Sequence, residues 1–381
     1  MINRTIFTED HDLFRASVRH FISTEIAPFH AQWASDGVVP RAIWHRAGEL
    51  GYLCRAAPKE FGGAGVSDFR YDAILGEELS RQNCTGPGFG VHGTIIAPYI
   101  LHHGTPDQLQ RWVPGMVTGD TILAVGMTEA TAGSDLASLR TTAVADGEDY
   151  IVNGQKSFVT NGSLADLLIV SCITNPAHKQ WGVSLLAIEL PTDGVTISKP
   201  LKKIGWHAQD TVEVFLDDVR VPKRNLIGQP GQGFYLMGKE LDQERVLIAV
   251  NAIAAARAAL DWTLAYCKER EAFGQPIGSF QNSRFRLAEM ETELTVGQVF
   301  IDRCIAEWAA RSLSSAEVAM AKWWATDLQQ RVIDKCLQLH GGYGYMTEYP
   351  IAQAWLDMRW TPIGGGTNEI MKDLIGRSMG L

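Results

Sequence analysis

Tyr150-Ile151-Val152-Asn153-Gly154-Gln155-Lys156-Ser157-Phe158-Val159 decides the fold class, because β-branched and aromatic residues crowd here in a chain otherwise patterned for helices. Two short strand-like runs flank Asn153-Gly154, a dipeptide that reads as a hairpin turn. The same texture extends over residues 121–228, where Val212, Val214 and Leu216 alternate as a later strand. It predicts a small β-domain of roughly six to eight strands.

On the N-terminal side, residues 1–120 read as a helical domain. Leu13, Phe14, Val18, Phe21, Ile22 and Ile26 recur at three- and four-residue steps and form one apolar stripe, with Thr8 as its cap. A second helix is expected to open at Pro40, and Phe61-Gly62-Gly63-Ala64-Gly65 reads as a loop. On the C-terminal side, residues 229–381 carry long helical segments near 234–268, 283–311, 315–340 and 367–378, which predict a four-helix bundle. Helices, then strands, then helices exclude a doubly wound nucleotide fold, which needs the two to alternate. No G-x-G-x-x-G follows a strand.

Bulk composition narrows the function classes. With 381 residues, 46% hydrophobic and 20% charged, the chain is that of a globular protein with a large core. A net charge of −9 argues against nucleic acid as a main partner. The six cysteines stand apart with no zinc spacing, so reduced thiols and no metal are expected. No stretch reaches the roughly 20 apolar residues of a membrane span and no apolar leader is visible, so the expectation is a cytoplasmic protein without a membrane span.

Four segments hold candidate chemistry. Met127-Thr128-Glu129-Ala130-Thr131-Ala132-Gly133-Ser134-Asp135 is either an ordinary turn or a loop whose N–H groups and hydroxyls approach a phosphate or a flavin edge. Arg270-Glu271-Ala272-Phe273-Gly274-Gln275-Pro276, with Gln281 beyond it, is either a plain helix link or a pyrophosphate site built on the arginine fork. Gln338-Leu339-His340-Gly341-Gly342-Tyr343-Gly344 ends a helix, or lets backbone approach a cofactor. Gly364-Gly365-Gly366-Thr367-Asn368-Glu369 precedes a last helix with Thr367 as N-cap, an arrangement suited to an anion. Glu244 and Arg245, in Asp242-Gln243-Glu244-Arg245, read from the residues alone as ordinary helix-surface charges.

Taken in order, these motifs resemble the acyl-CoA dehydrogenase family. The M-T-E-x-x-A-G-S-D segment is Met127 to Asp135, and the aromatic-x-T-N-G strand end is Phe158 to Gly162. The R-x-x-F-G link runs from Arg270 to Gln281, and Gln338 to Gly344 and Gly366 to Glu369 complete the set. The departures are Ala130-Thr131, where Pro-Gly is usual, and Phe158, where many members carry Trp.

The resemblance implies a helical N-domain, a middle β-barrel and a C-terminal four-helix bundle, assembled as a homotetramer that binds FAD across a subunit boundary. It places Met127, Thr128, Gly133, Ser134, Phe158 and Thr160 against FAD within one subunit. Arg270, Phe273, Gln281, Gln338, Gly341 and Gly342 would reach the FAD of a neighbour, with Thr367 and Glu369 at the adenine-diphosphate end. Ser134, Asp242, Arg245, Gly365 and Gly366 fall to the acyl-CoA substrate. In some members the catalytic base precedes the final G-T; in the long-chain and isovaleryl type it precedes a helix arginine. Here Gly365 holds the first position and Glu244 the second. The implied reaction is removal of the α-proton by Glu244, with the β-hydrogen leaving as hydride to flavin N5. The product is a trans-2-enoyl-CoA, and the electrons pass to an electron-transfer flavoprotein. The Gly365 N–H and a flavin ribityl hydroxyl would polarise the thioester oxygen. Gly86-Pro87-Gly88 hints at a long or branched acyl chain. An oxidase, a flavin monooxygenase or an inactive FAD- or CoA-binding subunit on the same scaffold stay open as alternatives.

Overall fold

The computed structural model describes residues 2–381. Six helices come first: α1 (Glu9–Phe21), α2 (His30–Asp36), α3 (Arg41–Glu49), α4 (Phe69–Arg81), α5 (Ala97–His103) and α6 (Pro106–Thr118). Thr8 sits at the N-cap of α1, its N–H donating to His11 Nδ1 at 3.2 Å. Helix α3 opens one residue after Pro40, whose missing N–H is not needed there. Val18, Phe21, Ile22 and Ile26 are buried as the stripe requires, whereas Leu13 lies exposed. Their core is completed by Trp44 and Phe89, whose rings meet edge to face at 5.1 Å.

The middle region holds β1 (Leu123–Gly126), β2 (Thr142–Asp146), β3 (Asp149–Thr160), β4 (Leu167–Ile173), β5 (Val183–Glu189), β6 (Val195–Ile197), β7 (Thr211–Pro222) and β8 (Leu226–Ile227). They form an eight-stranded mixed sheet in the order β6-β7-β3-β2-β4-β5-β8, with β1 running parallel beside β4. This corrects the expectation of a closed barrel, because the terminal strands β6 and β8 do not pair with each other. Those edges span three and two residues, too little for a closing ladder. The β8 edge is met by helix instead: the Gly228 N–H donates to the His103 carbonyl at the end of α5.

Asn153-Gly154 is not a turn either. It lies inside β3, where the register against β7 shifts between Val152 and Gly154. A side chain at Gly154 would stand 2.4 Å from Thr141 Oγ1, so the glycine admits a close approach. The hairpin turn lies just before it, at Gly147 between β2 and β3, with φ +58°.

The C-terminal region contains α7 (Gly233–Glu269), a two-stranded ribbon of β9 (Glu271–Ala272) and β10 (Gln275–Pro276), α8 (Gln281–Ala309), α9 (Ser315–His340), α10 (Pro350–Asp357) and α11 (Asn368–Ser378). Helix α7 packs against α8, α9 and α10 within the bundle and against α4 of the first region. Ile253, Leu260, Leu294 and Leu328 fill the bundle core, each fully buried side chain stabilising by about 1.5–3 kcal/mol. Contrary to the expectation that no segment is so apolar, α7 is long and apolar enough to cross a membrane. Its apolar window is mostly buried inside the protein, so the composition answers the packing on four neighbours. All six cysteines are free and buried.

Candidate active site

Helix α7 carries Asp242, Glu244 and Arg245 to the glycine turn that precedes α11. A Cβ built on Gly365 would stand 3.4 Å from Glu244 Oε1, so the carboxyl faces that glycine directly. Gly365 adopts φ +65°, and the same Cβ would come within 2.7 Å of Ile248 Cδ1. Glycine there is favoured by the backbone conformation, and any side chain would also push Ile248 aside. Among the described residues, the Gly365 N–H donates to no protein group.

Two cations hold the turn by its carbonyls. Arg245 Nε donates to the Gly365 carbonyl at 3.0 Å, and Lys322 Nζ donates to the Gly366 carbonyl at 2.8 Å and to Asn368 Oδ1 at 3.1 Å. Arg245 is itself fixed by Asp242, which also accepts from Ser315. Burial pushes Glu244 up to about 7, against the opposing pull of Arg245 and Lys322. Burial and Arg245 together lower Lys322 to about 8. Lys322 leaves no mark in the sequence beyond a basic residue within the apolar run Val318 to Ala325 of α9.

Ile248, one turn beyond Glu244, also lines a cleft between α4, α7 and the segment through Cys84 to Ile95. Leu75, Leu79, Val91 and Leu247 give it apolar walls, and Pro87 and Gly88 lie along it. A second, smaller compartment adjoins it and shares Ser80, Thr85, Trp206, Ile248, Asn251 and Trp360. The base candidate and an apolar cleft thus meet at one helix turn.

The Met127–Asp135 loop is anchored from below. Glu129 is buried, pairs with the fully buried Lys156 at 2.7 Å, and accepts from the Arg140 and Thr141 N–H groups. Burial would raise Glu129, but these partners outweigh it and hold the carboxyl below its ordinary value. Met127 and Thr128 are half-buried, while Gly133 and Ser134 are exposed. The Thr128 carbonyl accepts from the Ser157 N–H at 2.8 Å, which ties the loop to β3. On that strand Thr160 is half-buried and Phe158, at φ +58° beside a register shift, leaves its ring 67% exposed. An uncovered aromatic ring, free hydroxyls and a glycine without steric cover fit a planar heteroaromatic cofactor with a phosphate-bearing tail, the chemistry of FAD.

The remaining sequence candidates divide. Thr367 caps α11, its hydroxyl accepting from the Ile370 N–H at 3.3 Å, and Glu369 lies exposed on the first turn. Both therefore stand next to the Gly365–Gly366 turn. Arg270, Phe273, Gln281, Gln338, Gly341 and Gly342 are all exposed, and Phe273 is 97% so. They form a second group, in which Arg270 lies over the Tyr343 ring at 5.6 Å. Helix α7 separates Arg270 from Glu244 by about 38 Å along its axis, so this chain alone does not bring the group to the base. One further cluster escaped the sequence spacing: His102, His103 and Glu240 bring one ligand-type atom each within 4.8 Å, joining α5 to α7 through imidazole–carboxylate contacts.

Comparison with known proteins finds three consecutive domain matches. Residues 8–120 match the acyl-CoA dehydrogenase N-terminal domain, residues 124–219 the middle domain and residues 231–380 the C-terminal domain. The rat protein named long-chain specific acyl-CoA dehydrogenase, mitochondrial, is 45% identical over 99% of this chain and 88% of its own length. The crystal structure of acyl-CoA dehydrogenase from Geobacillus kaustophilus superposes with a TM-score of 0.98 at 45% identity, covering all of both chains. Butyryl-CoA dehydrogenase from Megasphaera elsdenii superposes with a TM-score of 0.93 at 29% identity, over 98% of this chain and 99% of that one.

Proposed function

We propose that this chain, which belongs to the acyl-CoA dehydrogenase family, removes the α-proton of its acyl-CoA substrate with the carboxylate of Glu244. The reaction is the FAD-dependent α,β-dehydrogenation of an acyl-CoA thioester. Bound FAD supplies the hydride acceptor for the β-hydrogen. The chain's own residues supply the rest. Glu244, raised to about 7, is a far stronger base than an ordinary carboxylate and still half-ionised at neutral pH. The unpaired Gly365 N–H donates to the thioester oxygen as negative charge gathers there, which is what makes the α-proton acidic enough to move. Arg245 and Lys322 hold the two glycine carbonyls and so keep that N–H turned toward the substrate. The proton ends on Glu244.

The observation that carries this reading is the facing of Glu244 and Gly365, one helix turn from Ile248, which lines an apolar cleft. Position 365 holds a glycine, so of the two places only the helix supplies a carboxylate. The cleft's apolar walls, with Pro87 and Gly88 along it, support a long or branched acyl chain. Thr128, Ser134, Phe158 and Thr160 are assigned to the cofactor of the same subunit, and the Arg270 and Gln338 group to that of a neighbour. The exposure of Phe273 and the length of α7 support a homotetramer in which another subunit covers that group. The electron acceptor in this reading is an electron-transfer flavoprotein. Glu244→Gln is expected to retain FAD yet fail to bleach it anaerobically with acyl-CoA. Bleaching of that variant near the parent rate would refute the assignment.

A further inference from the structure

The cleft is not a plain hydrocarbon slot. Asn251 interrupts an apolar stretch of α7, with Val250 before it and Ala252 and Ile253 after. Among the described residues its side chain has no hydrogen-bond partner, and its Oδ1 is sealed from solvent. Trp360 Nε1 is in the same state. Both side chains line both compartments of the cleft. Buried amides and indoles almost always find a partner, because an unpaired one keeps the full cost of losing water.

Each of these groups is seated by a glycine. On α4, a Cβ at Gly76 would stand 2.3 Å from Asn251 Oδ1; in the turn, a Cβ at Gly364 would stand 2.4 Å from the Trp360 ring. Trp360 is further steadied edge to face against Trp206 at 4.8 Å. The backbone has thus made room for two polar groups where apolar side chains would have served a hydrocarbon chain.

Their chemistry defines what completes them. The indole N–H only donates, whereas the amide both donates and accepts. An oxygen function suits either group: a hydroxyl or carbonyl oxygen accepts from the Trp360 N–H or the Asn251 amide N–H, and a hydroxyl can donate to the Asn251 carbonyl. Asn251 follows Glu244 by seven residues, close to two full turns, so it shares the face of α7 that carries the base and lies about 10 Å further along.

We propose that the acyl chain accepted here carries an oxygen function, hydroxyl or carbonyl, on its distal part, recognised by Asn251 and Trp360. This rests on the reading of Glu244 as the base and of the cleft as the acyl site. A straight unsubstituted chain leaves both groups unpaired, and sites built to hydrogen-bond a substituent discriminate against analogues that lack it.

The test uses the FAD-loaded protein and pairs of acyl-CoA esters of equal length, with and without a mid-chain hydroxyl or keto group, in anaerobic flavin bleaching. The oxygenated member of a pair is expected to show a kcat/KM at least about tenfold higher, expressed mainly in KM. Asn251→Leu and Trp360→Phe, each checked for FAD content and melting temperature, are expected to bring that ratio toward one, the loss falling on the oxygenated ester. Equal or better use of the plain ester by the parent protein, or a ratio that neither variant changes, overturns the inference and leaves the dehydrogenase reading standing. Absence of bleaching by every ester overturns both.

Discussion

The rate of flavin bleaching should depend on pH in a way that an ordinary carboxylate cannot produce. Burial holds Glu244 near 7 instead of its usual 4.5, and only its ionised form accepts the α-proton. With a value near 7, the ionised fraction grows from about 3% at pH 5.5 to about 75% at pH 7.5, a rise of about 25-fold; with a value of 4.5 the rise would be about 1.1-fold. The window stops below the point near 8 at which Lys322 loses its charge. The quantity to measure is the second-order rate constant at low substrate concentration under anaerobic conditions, because it reports the free enzyme. Binding of a thioether analogue, which has no acidic proton to give, isolates any effect of pH on affinity.

Stability supplies a second reading of the same group. A folded value above the unfolded one means that Glu244 favours the fold below pH about 4.5 and loses that contribution as pH rises through 7. The full shift corresponds to roughly 3 kcal/mol, and access of water to a half-buried side chain reduces this to about 1–2 kcal/mol. Glu244→Gln should therefore gain stability over the parent at pH 8 and lose the advantage by pH 4. A bleaching constant that changes less than twofold across the window, with substrate affinity constant, would show that the carboxyl titrates elsewhere and would remove the argument from burial.

Two other substitutions test the supports of the site. Gly365→Ala forces a side chain into φ +65° and toward Ile248, so a loss of about 1–2 kcal/mol in urea unfolding and a drop of at least about tenfold in bleaching rate are expected. Lys156→Met strands the buried carboxylate of Glu129; unfolding should show a loss of about 3–5 kcal/mol, and gel filtration should show FAD leaving the protein more readily than from the parent.

Much of this arrangement is legible in the sequence where local physics decides. The stripe through Val18 and Phe21, the helical start after Pro40 and the cap at Thr367 each follow from spacing or from one backbone group. The open sheet is not legible there, and the barrel that the resemblance implies fails, because pairing between distant strands leaves no local signature and the edge strands β6 and β8 are short. Asn153-Gly154 is ambiguous in the sequence because the same dipeptide serves a turn or a bulge, and only the approach of Thr141 tells which. Glu244 could not be separated from a surface glutamate by periodicity; the glycine turn that gives it meaning lies more than a hundred residues away in the chain. Asn251 did leave a trace, a single amide in an apolar helical stretch, which is the kind of local inconsistency that marks a site.

Helix α7 runs unbroken from Gly233 to Glu269, and Glu244, Ile248 and Asn251 hang from one of its sides. A residue inserted or deleted between the first and the last would swing everything beyond it by about 100° and displace it by about 1.5 Å. The proton acceptor and the selector of the chain's far end would then point into different spaces. Along this stretch an exchange of side chain in place leaves that alignment intact, whereas a change in length breaks it.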